Sequence, residues 1–255
     1  TGVPSLLTLL AMVAVATSTH GAVPPAPSQG RPPRPIRLYV FDGGTLESDP
    51  GRYQLTKEDV GTPQLSIAAY LIVHPMGVLV WDAGAVADGD WTPTGSLVQQ
   101  RIGLPDSQER FVTIRAPLRA QLAEAGYTPD EVTHIALSHH HWDHTANANM
   151  FGGATWLVRG AEREAMFADA PLGAVRPATY VSLRNSRTVI LIADEHDVFG
   201  DGTVILKAAP GHTPGHQVLY VKLAQTGGVV LSGDLYHYPQ ERTLGRLPTF
   251  EFNQE

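Results

Sequence analysis

The sequence predicts one α/β domain in which two β-sheets are flanked by helices. The chain has 255 residues, enough for one sizeable hydrophobic core. Most of its apolar runs are short and end at glycine or proline, as strands do, and only two segments are predicted to be helices. Because these helices stand isolated among strands, the order of elements fits two packed sheets better than a regular βαβ repeat.

The elements follow one another from Ile36, where the folded part is predicted to begin. Two nearly continuous apolar runs surround the turn His74–Gly77 and predict a sheet buried on both faces. Residues 85–111 show no clear helical or strand periodicity and are predicted to form a long loop-like excursion between the elements. The predicted strands cover 36–44, the two halves of 65–84, 132–139, 154–160, 203–211, 216–223 and 227–234, and the predicted helices cover 116–126 and 161–170.

The N-terminal segment predicts export. Residues 5–16 are an apolar run of the length of a signal-peptide core and are too short to span a membrane comfortably. We interpret residues 1–22 as a signal peptide with a clipped start; a buried or anchoring helix is the alternative. Six prolines in residues 23–35 predict an extended linker. The expectation is a secreted or periplasmic domain over 36–255 without a stable membrane anchor.

Composition limits the partners and the metal ligands. The net charge of −7 argues against a broad nucleic-acid-binding surface, which would need clustered lysine and arginine. The chain has no cysteine, so it can form no disulfide bond and offers no thiolate. Any zinc ion must therefore be bound by histidine, aspartate or glutamate.

Four histidines and one aspartate fall within residues 139–144, "HHHWDH". In an extended segment alternate residues project from one face, so His139, His141 and Asp143 share a direction, whereas His140 and Trp142 point away. His144 projects differently if the chain turns into a helix there, so the strand end offers two imidazoles to one point and a carboxylate with an imidazole to a neighbouring point. These donors suit Zn²⁺, although Fe, Mn or Co could use the same ligands.

Two further clusters follow predicted strands. His212 lies in "APGHTPGHQ" (209–217), where proline and glycine make a tight loop, and Asp234 ends the apolar strand of "LSGDLYHY" (231–238). Side chains in loops at strand ends are often functional because a rigid sheet positions them.

These motifs resemble the metallo-β-lactamase superfamily, and "FDGG", "WDAG" and "GHTPGHQ" are most similar to its N-acyl-homoserine lactonase branch. The resemblance implies an αββα sandwich with two zinc ions. It assigns His139, His141 and His212 to the first ion, Asp143 and His144 to the second, and Asp234 to both.

The resemblance also implies an activity, the opening of acyl-homoserine lactones in quorum quenching. Hydroxide made available by the metal would attack the lactone carbonyl carbon, and no covalent enzyme intermediate is needed. The catalytic candidates are Asp143, Asp234, Tyr236 and His237. Related lactonases often have a tyrosine three residues after the shared aspartate. This chain has His237 at that position, with Tyr236 beside it, so either side chain could be the proton donor. The small-molecule substrate could instead be a glutathione thioester, a β-lactam or another ester.

One ligand of the family pattern has no counterpart. The lactonases supply a further histidine to the second ion well after the shared aspartate, whereas only His237 follows Asp234. We therefore expect a C-terminally truncated domain, with weak activity or none, and an inactive zinc-binding fragment is the further alternative.

Four nearby residues have open or structural roles. His140 and His216 are expected to be structural or supporting. Asp82 could orient a metal ligand or only bind the backbone of its turn, and Trp91 is expected to cover the core edge rather than line an acyl pocket.

Overall fold

The computed structural model describes residues 35–91, 98–103, 109–171 and 173–253. The predicted signal peptide and nearly all of the predicted linker lie outside this range. Residues Arg34–Glu255 form one compact unit. Within the described residues, no helix is both long enough and apolar enough to cross a bilayer.

Two β-sheets face each other. The larger has the strand order β4-β5-β1-β2-β3-β6-β7-β8, and the smaller has the order β12-β11-β10-β9. The strands are β1 (Arg37–Glu47), β2 (Gln64–His74), β3 (Gly77–Trp81), β4 (Val98–Gly103), β5 (Glu109–Ile114), β6 (His134–Ala136), β7 (Thr155–Arg159), β8 (Thr188–Leu191), β9 (Glu195–Asp197), β10 (Val204–Ala208), β11 (Gln217–Leu223) and β12 (Gly227–Leu231). The α-helices are α1 (Leu118–Glu124), α2 (Trp142–Thr145), α3 (Gly160–Met166) and α4 (Pro239–Leu244).

The core lies in layers on either side of the larger sheet. Between the sheets, Leu79 and Trp81 of β3 pack in one buried cluster with Leu206 of β10 and Leu219 of β11. On the opposite face, a second cluster includes Leu122 of α1 together with residues of β2, β6 and β7. The predicted pair of sheets with flanking helices is therefore confirmed.

Four strands were not predicted. The excursion at 85–111 contains β4 and the start of β5, which pair with each other and add an edge to the larger sheet beside β1. The alternation of exposed Phe111 with buried Val112 and Ile114 is the signal that could have identified β5. Strands β8 and β9 are only four and three residues long, too short to show a period.

Candidate metal centre

The candidate site lies where loops leave the ends of strands. Strands β3 and β6 run parallel, so the residues after them, Asp82 and the 139–144 segment, meet at one edge of the larger sheet. His212 lies in the loop between β10 and β11, and Asp234 follows β12 of the smaller sheet. Both sheets therefore contribute to one site.

The 139–144 segment changes conformation in its middle. His141 is still extended, with φ −65° and ψ 156°, and α2 begins at Trp142. The alternation predicted for a strand therefore holds for His139 and His141 but ends there. Asp143 and His144 project from the first turn of α2, while Trp142 packs into a buried apolar cluster that also includes Ile67.

The first group of donors comprises His139, His141, His212 and Asp234, whose nearest donor atoms all lie within 4.8 Å of one another. His212 Nε2 is 2.9 Å from His141 Nδ1 and 3.5 Å from Asp234 Oδ2. His139 Nε2 is 3.7 Å from the same carboxylate oxygen. The structure thus brings three histidines from two loops to one point, as the sequence predicts.

The second group comprises Asp143, His144 and Asp234. His144 Nε2 lies 3.1 Å from Asp234 Oδ1 and 3.9 Å from Asp143 Oδ2. The two carboxylate oxygens of Asp234 therefore face different groups: Oδ2 faces His139 and His212, and Oδ1 faces His144. This arrangement places one carboxylate between two candidate ion positions.

The first group fits a divalent metal ion. Ligand atoms about 2.0–2.1 Å from a tetrahedral zinc ion lie roughly 3.4 Å apart, close to the separations found. His139 Nε2 is buried and has no hydrogen-bond partner among the described residues, which a metal–nitrogen bond would remedy. Burial, reinforced by neighbouring histidines, holds the pKa values of His139 and His141 well below the ordinary range, so both rings stay in the neutral form that binds metal.

Charge is concentrated around Asp234. Burial raises its pKa, but the positive field of His144 and His237 outweighs burial and holds the pKa well below the ordinary value. Burial lowers the pKa of His144, but Asp234 and Asp82 outweigh it and raise the pKa well above its ordinary value. Without bound metal, the second group is thus an ion pair between a carboxylate and an imidazolium.

Of the two roles left open from the sequence, Asp82 has the contact expected of a residue that orients a candidate metal ligand. Its Oδ2 accepts from His144 Nδ1–H at 2.9 Å, which orients that ring and leaves Nε2 directed at Asp234. It also accepts hydrogen bonds from the backbone N–H and the hydroxyl of Ser138 at 2.6 and 2.9 Å. Asp82 therefore supports His144 and fixes the start of the histidine segment.

Glu162 of α3, which sequence reasoning missed, links the two histidine loops. This buried carboxylate accepts from the backbone N–H of His140 at 2.8 Å and from the His140 ring. It also accepts from the Thr213 hydroxyl and the Gly215 N–H, both at 2.8 Å. Burial raises the pKa of Glu162, but the bonds from His140, Thr213 and Gly215 outweigh it and keep the carboxylate ionised. The structural role predicted for His140 is this contact.

The remaining candidates lie around the two groups. His237 is buried, with Nε2 3.3 Å from Asp234 Oδ2. Burial lowers its pKa, but Asp234 and Glu241 outweigh burial and raise the pKa to about 10.

Tyr236 is 41% exposed and lines a cavity beside Asp234. His216 belongs to neither group, and its Nδ1–H donates to the Ala209 carbonyl at 3.0 Å. Trp91 packs against the edge of a buried apolar cluster, as predicted.

Gly233 positions Asp234 and should tolerate no side chain. Its φ is +52°, and an added Cβ would lie 2.5 Å from Ser138 Cβ and 2.9 Å from His216 Nε2. We expect Gly233→Ala to lower the free energy of unfolding by about 2–5 kcal/mol, from overpacking and left-handed strain together, measured by urea unfolding. Gly245→Ala is the matched control because Gly245 has φ +60° but no neighbour within 4 Å. Equal losses in both variants would contradict the contact with Ser138.

A family model described as the metallo-beta-lactamase superfamily matches residues 62–251. The chain belongs to the metallo-β-lactamase superfamily. Its fold and its clustered histidines and aspartates are those of a metal-dependent hydrolase.

Curated relatives in this superfamily have names that specify a substrate. The N-acyl homoserine lactonase AttM of Azorhizobium caulinodans is 28% identical over 223 residues, which cover 84% of this chain and 82% of that protein. The N-acyl homoserine lactonase AiiA of Bacillus thuringiensis subsp. kurstaki is 29% identical over 227 residues, covering 86% and 83%.

Solved structures share the fold. A variant of B. thuringiensis AiiA with N-decanoyl-L-homoserine bound at its active site superposes with a TM-score of 0.60 at 24% identity, covering 76% of this chain and 74% of that one. A probable metal-dependent hydrolase from Staphylococcus aureus has a TM-score of 0.62 at 16% identity, covering 88% and 81%.

Proposed function

We propose that this chain hydrolyses the lactone ring of N-acyl-homoserine lactones, with two divalent metal ions, zinc by default, as cofactors. The observation that carries the proposal is the placement of Asp234, whose two oxygens face the two donor groups. The lactonase names of relatives that match more than four fifths of the chain support the choice of substrate.

The proposed ligands divide as the donor groups do. His139, His141 and His212 would bind the first ion, Asp143 and His144 the second, and Asp234 both. Bound divalent ions lower the pKa of water and polarise a carbonyl group. The lowered pKa values of His139 and His141 keep these rings ready to bind metal at neutral pH.

The proposed substrate would occupy the cavity on the Asp234 side of the cluster. The cavity has a volume of about 550 Å³, and its lining includes Asp143, His144, Asp234 and Tyr236. Water would add to the lactone carbonyl carbon, the ring carbon–oxygen bond would break, and the leaving alkoxide would take a proton. The product is an N-acyl-homoserine carrying a new hydroxyl and a new carboxylate.

An apolar pocket on the other side of the cluster supports an acylated substrate. Its volume is about 290 Å³, and its lining includes the ring of His141 together with Ala165, Ala168, Pro214 and Phe250. A saturated acyl chain placed there would bury apolar surface, which contributes roughly 0.8 kcal/mol for each methylene group.

We propose His237, rather than Tyr236, as the proton donor. His237 Nε2 lies 3.3 Å from Asp234 at the centre of the site, whereas Tyr236 is 41% exposed at the cavity wall. General acid catalysis typically contributes 10²–10⁴-fold, so we expect His237→Gln to lower kcat by about 10²-fold or more. Tyr236→Phe is the control and should change kcat less than about tenfold. The opposite order of effects would assign the proton to Tyr236.

A substrate panel tests the proposed activity. Zinc-loaded protein would be assayed by pH-stat with N-hexanoyl and N-decanoyl homoserine lactones, beside nitrocefin and a glutathione thioester. Ring opening of the lactones should exceed the other two reactions. If only the thioester or only nitrocefin is cleaved, that compound replaces the lactone as the proposed substrate. If none of the compounds is hydrolysed, the result favours an inactive zinc-binding fragment.

The location is also a proposal. The apolar run 5–16 supports a secreted or periplasmic enzyme, where acyl lactones from other cells would reach it. Sequencing the N-terminus of protein recovered from culture medium or periplasm would test cleavage close to residue 22.

A further inference from the structure

The segment Thr249–Asn253 passes beside the candidate metal centre, and a backbone hydrogen bond holds it at each end. The Asn253 N–H donates to the carbonyl of Gly211, beside His212, at 3.0 Å. The Thr249 N–H donates to the Arg52 carbonyl at 3.4 Å. The backbone of this segment is therefore held on both sides of Glu251.

Phe250 fixes the register of the segment. Its ring lies 5.6 Å from the rings of both Tyr53 and His237, measured between centroids, and the Arg52 guanidinium lies 5.0 Å from its centroid. Since Phe250 occupies this aromatic site, the next side chain, Glu251, is directed towards the His212 loop.

Glu251 contacts the outer nitrogen of His212. His212 Nδ1 lies 3.0 Å from Glu251 Oε1, and the two side chains are only 3% and 10% exposed. The other nitrogen, Nε2, faces His141 and Asp234. A neutral imidazole carries one N–H. If that hydrogen is on Nδ1, where it can donate a hydrogen bond to Glu251, then Nε2 keeps a lone pair directed into the first donor group.

We propose that Glu251 is a positioning residue that fixes the orientation and the tautomer of His212 for metal binding. The inference rests on the proposed metal centre. Asp82 holds His144 of the second group in the same way, through a carboxylate on Nδ1 at 2.9 Å. Each donor group therefore has one histidine backed by a carboxylate, an arrangement that orients metal-binding imidazoles and raises their basicity.

The test measures zinc affinity directly, by competition of the full chain with a chromogenic chelator at neutral pH. We expect Glu251→Ala to weaken binding of the first zinc ion about 10–100-fold. Glu251→Gln should lose less, because its amide oxygen still accepts the Nδ1–H but carries no charge. Glu164→Gln is the control, since Glu164 is an exposed carboxylate on α3 whose loss changes the net charge equally.

A second readout separates positioning from folding. Long-range ¹⁵N–¹H spectra of the histidine rings in metal-free protein should give the Nδ1–H tautomer for His212 in wild type and a mixture in Glu251→Ala, with the urea midpoint unchanged. Wild-type zinc affinity in Glu251→Ala would overturn the proposal, and so would a loss that parallels a fall in the urea midpoint. If the wild-type chain binds no zinc, both the proposed metal centre and the positioning role of Glu251 are overturned. If zinc binding is weakened in Glu251→Ala but the wild type opens no lactone, the positioning role of Glu251 is supported and only the proposed lactonase activity is rejected.

Discussion

Replacing Asp234 with asparagine should nearly abolish hydrolysis of N-acyl-homoserine lactones. Among the residues that the structure describes, only Asp234 belongs to both donor groups, and asparagine would keep its shape but offer only one oxygen and no charge. We expect kcat/KM to fall by about 10³-fold or more, which corresponds to about 4 kcal/mol of transition-state stabilisation. Metal content should fall from two ions per chain towards one or none.

Asp130→Asn is the matched control for that substitution. Asp130 is exposed and lies outside both donor groups, so its loss changes the net charge equally without touching the site. Its kcat/KM should stay within about twofold of wild type, since surface substitutions away from functional groups have small effects. An Asp234→Asn variant that retains two ions and more than a tenth of the activity would contradict a shared carboxylate.

Removing the carboxylate of Glu162 should cause a large loss of stability. In Glu162→Ala the donors of His140, Thr213 and Gly215 would stay buried without their acceptor. Loss of one partner from a buried charged network typically costs about 3–5 kcal/mol. Urea unfolding of metal-free protein, followed by tryptophan fluorescence, should give a loss of that size in the free energy of unfolding.

The same helix provides the control for Glu162. Glu164→Ala removes an exposed carboxylate two residues away and should change stability by less than about 0.5 kcal/mol. A loss below about 1 kcal/mol in Glu162→Ala would show that the two histidine loops are held by other contacts.

The pH dependence of stability should reveal the ionisation of the Glu162 carboxylate. The folded pKa of Glu162 is lowered, so its stabilisation is complete above the ordinary glutamate pKa of about 4.3 and disappears as pH falls through the lower folded value. The stability difference between wild type and Glu162→Gln should therefore shrink on acidification below about pH 4. A difference that stays constant down to pH 2 would contradict an ionised Glu162.

Much of the site could be predicted because its donors occur in dense local patterns. His139 and His141 are two residues apart at a strand end, so strand geometry places them together without knowledge of the fold. His212 and Asp234 follow other predicted strands, and the order of the three clusters indicated the family. Strands such as β2 and β3 were predictable because long apolar runs flank an obvious turn.

The supporting residues could not be predicted because their roles depend on distant contacts. Glu162 looks like any glutamate on an amphipathic helix, and only the packing of α3 against two loops makes it their shared acceptor. Glu251 lies in a segment without helix or strand periodicity, 39 residues beyond His212. Strands β4 and β8 were missed for the same reason, since pairing with neighbours, rather than local apolar spacing, defines them.

The central claim, that these side chains converge to bind divalent metal, is tested most directly by anomalous diffraction at the zinc edge from crystals of the zinc-loaded protein. The account predicts one peak among His139, His141, His212 and Asp234, and a second beside Asp143, His144 and the other oxygen of Asp234. Anomalous density elsewhere, or none within this cluster in fully loaded crystals, would contradict it.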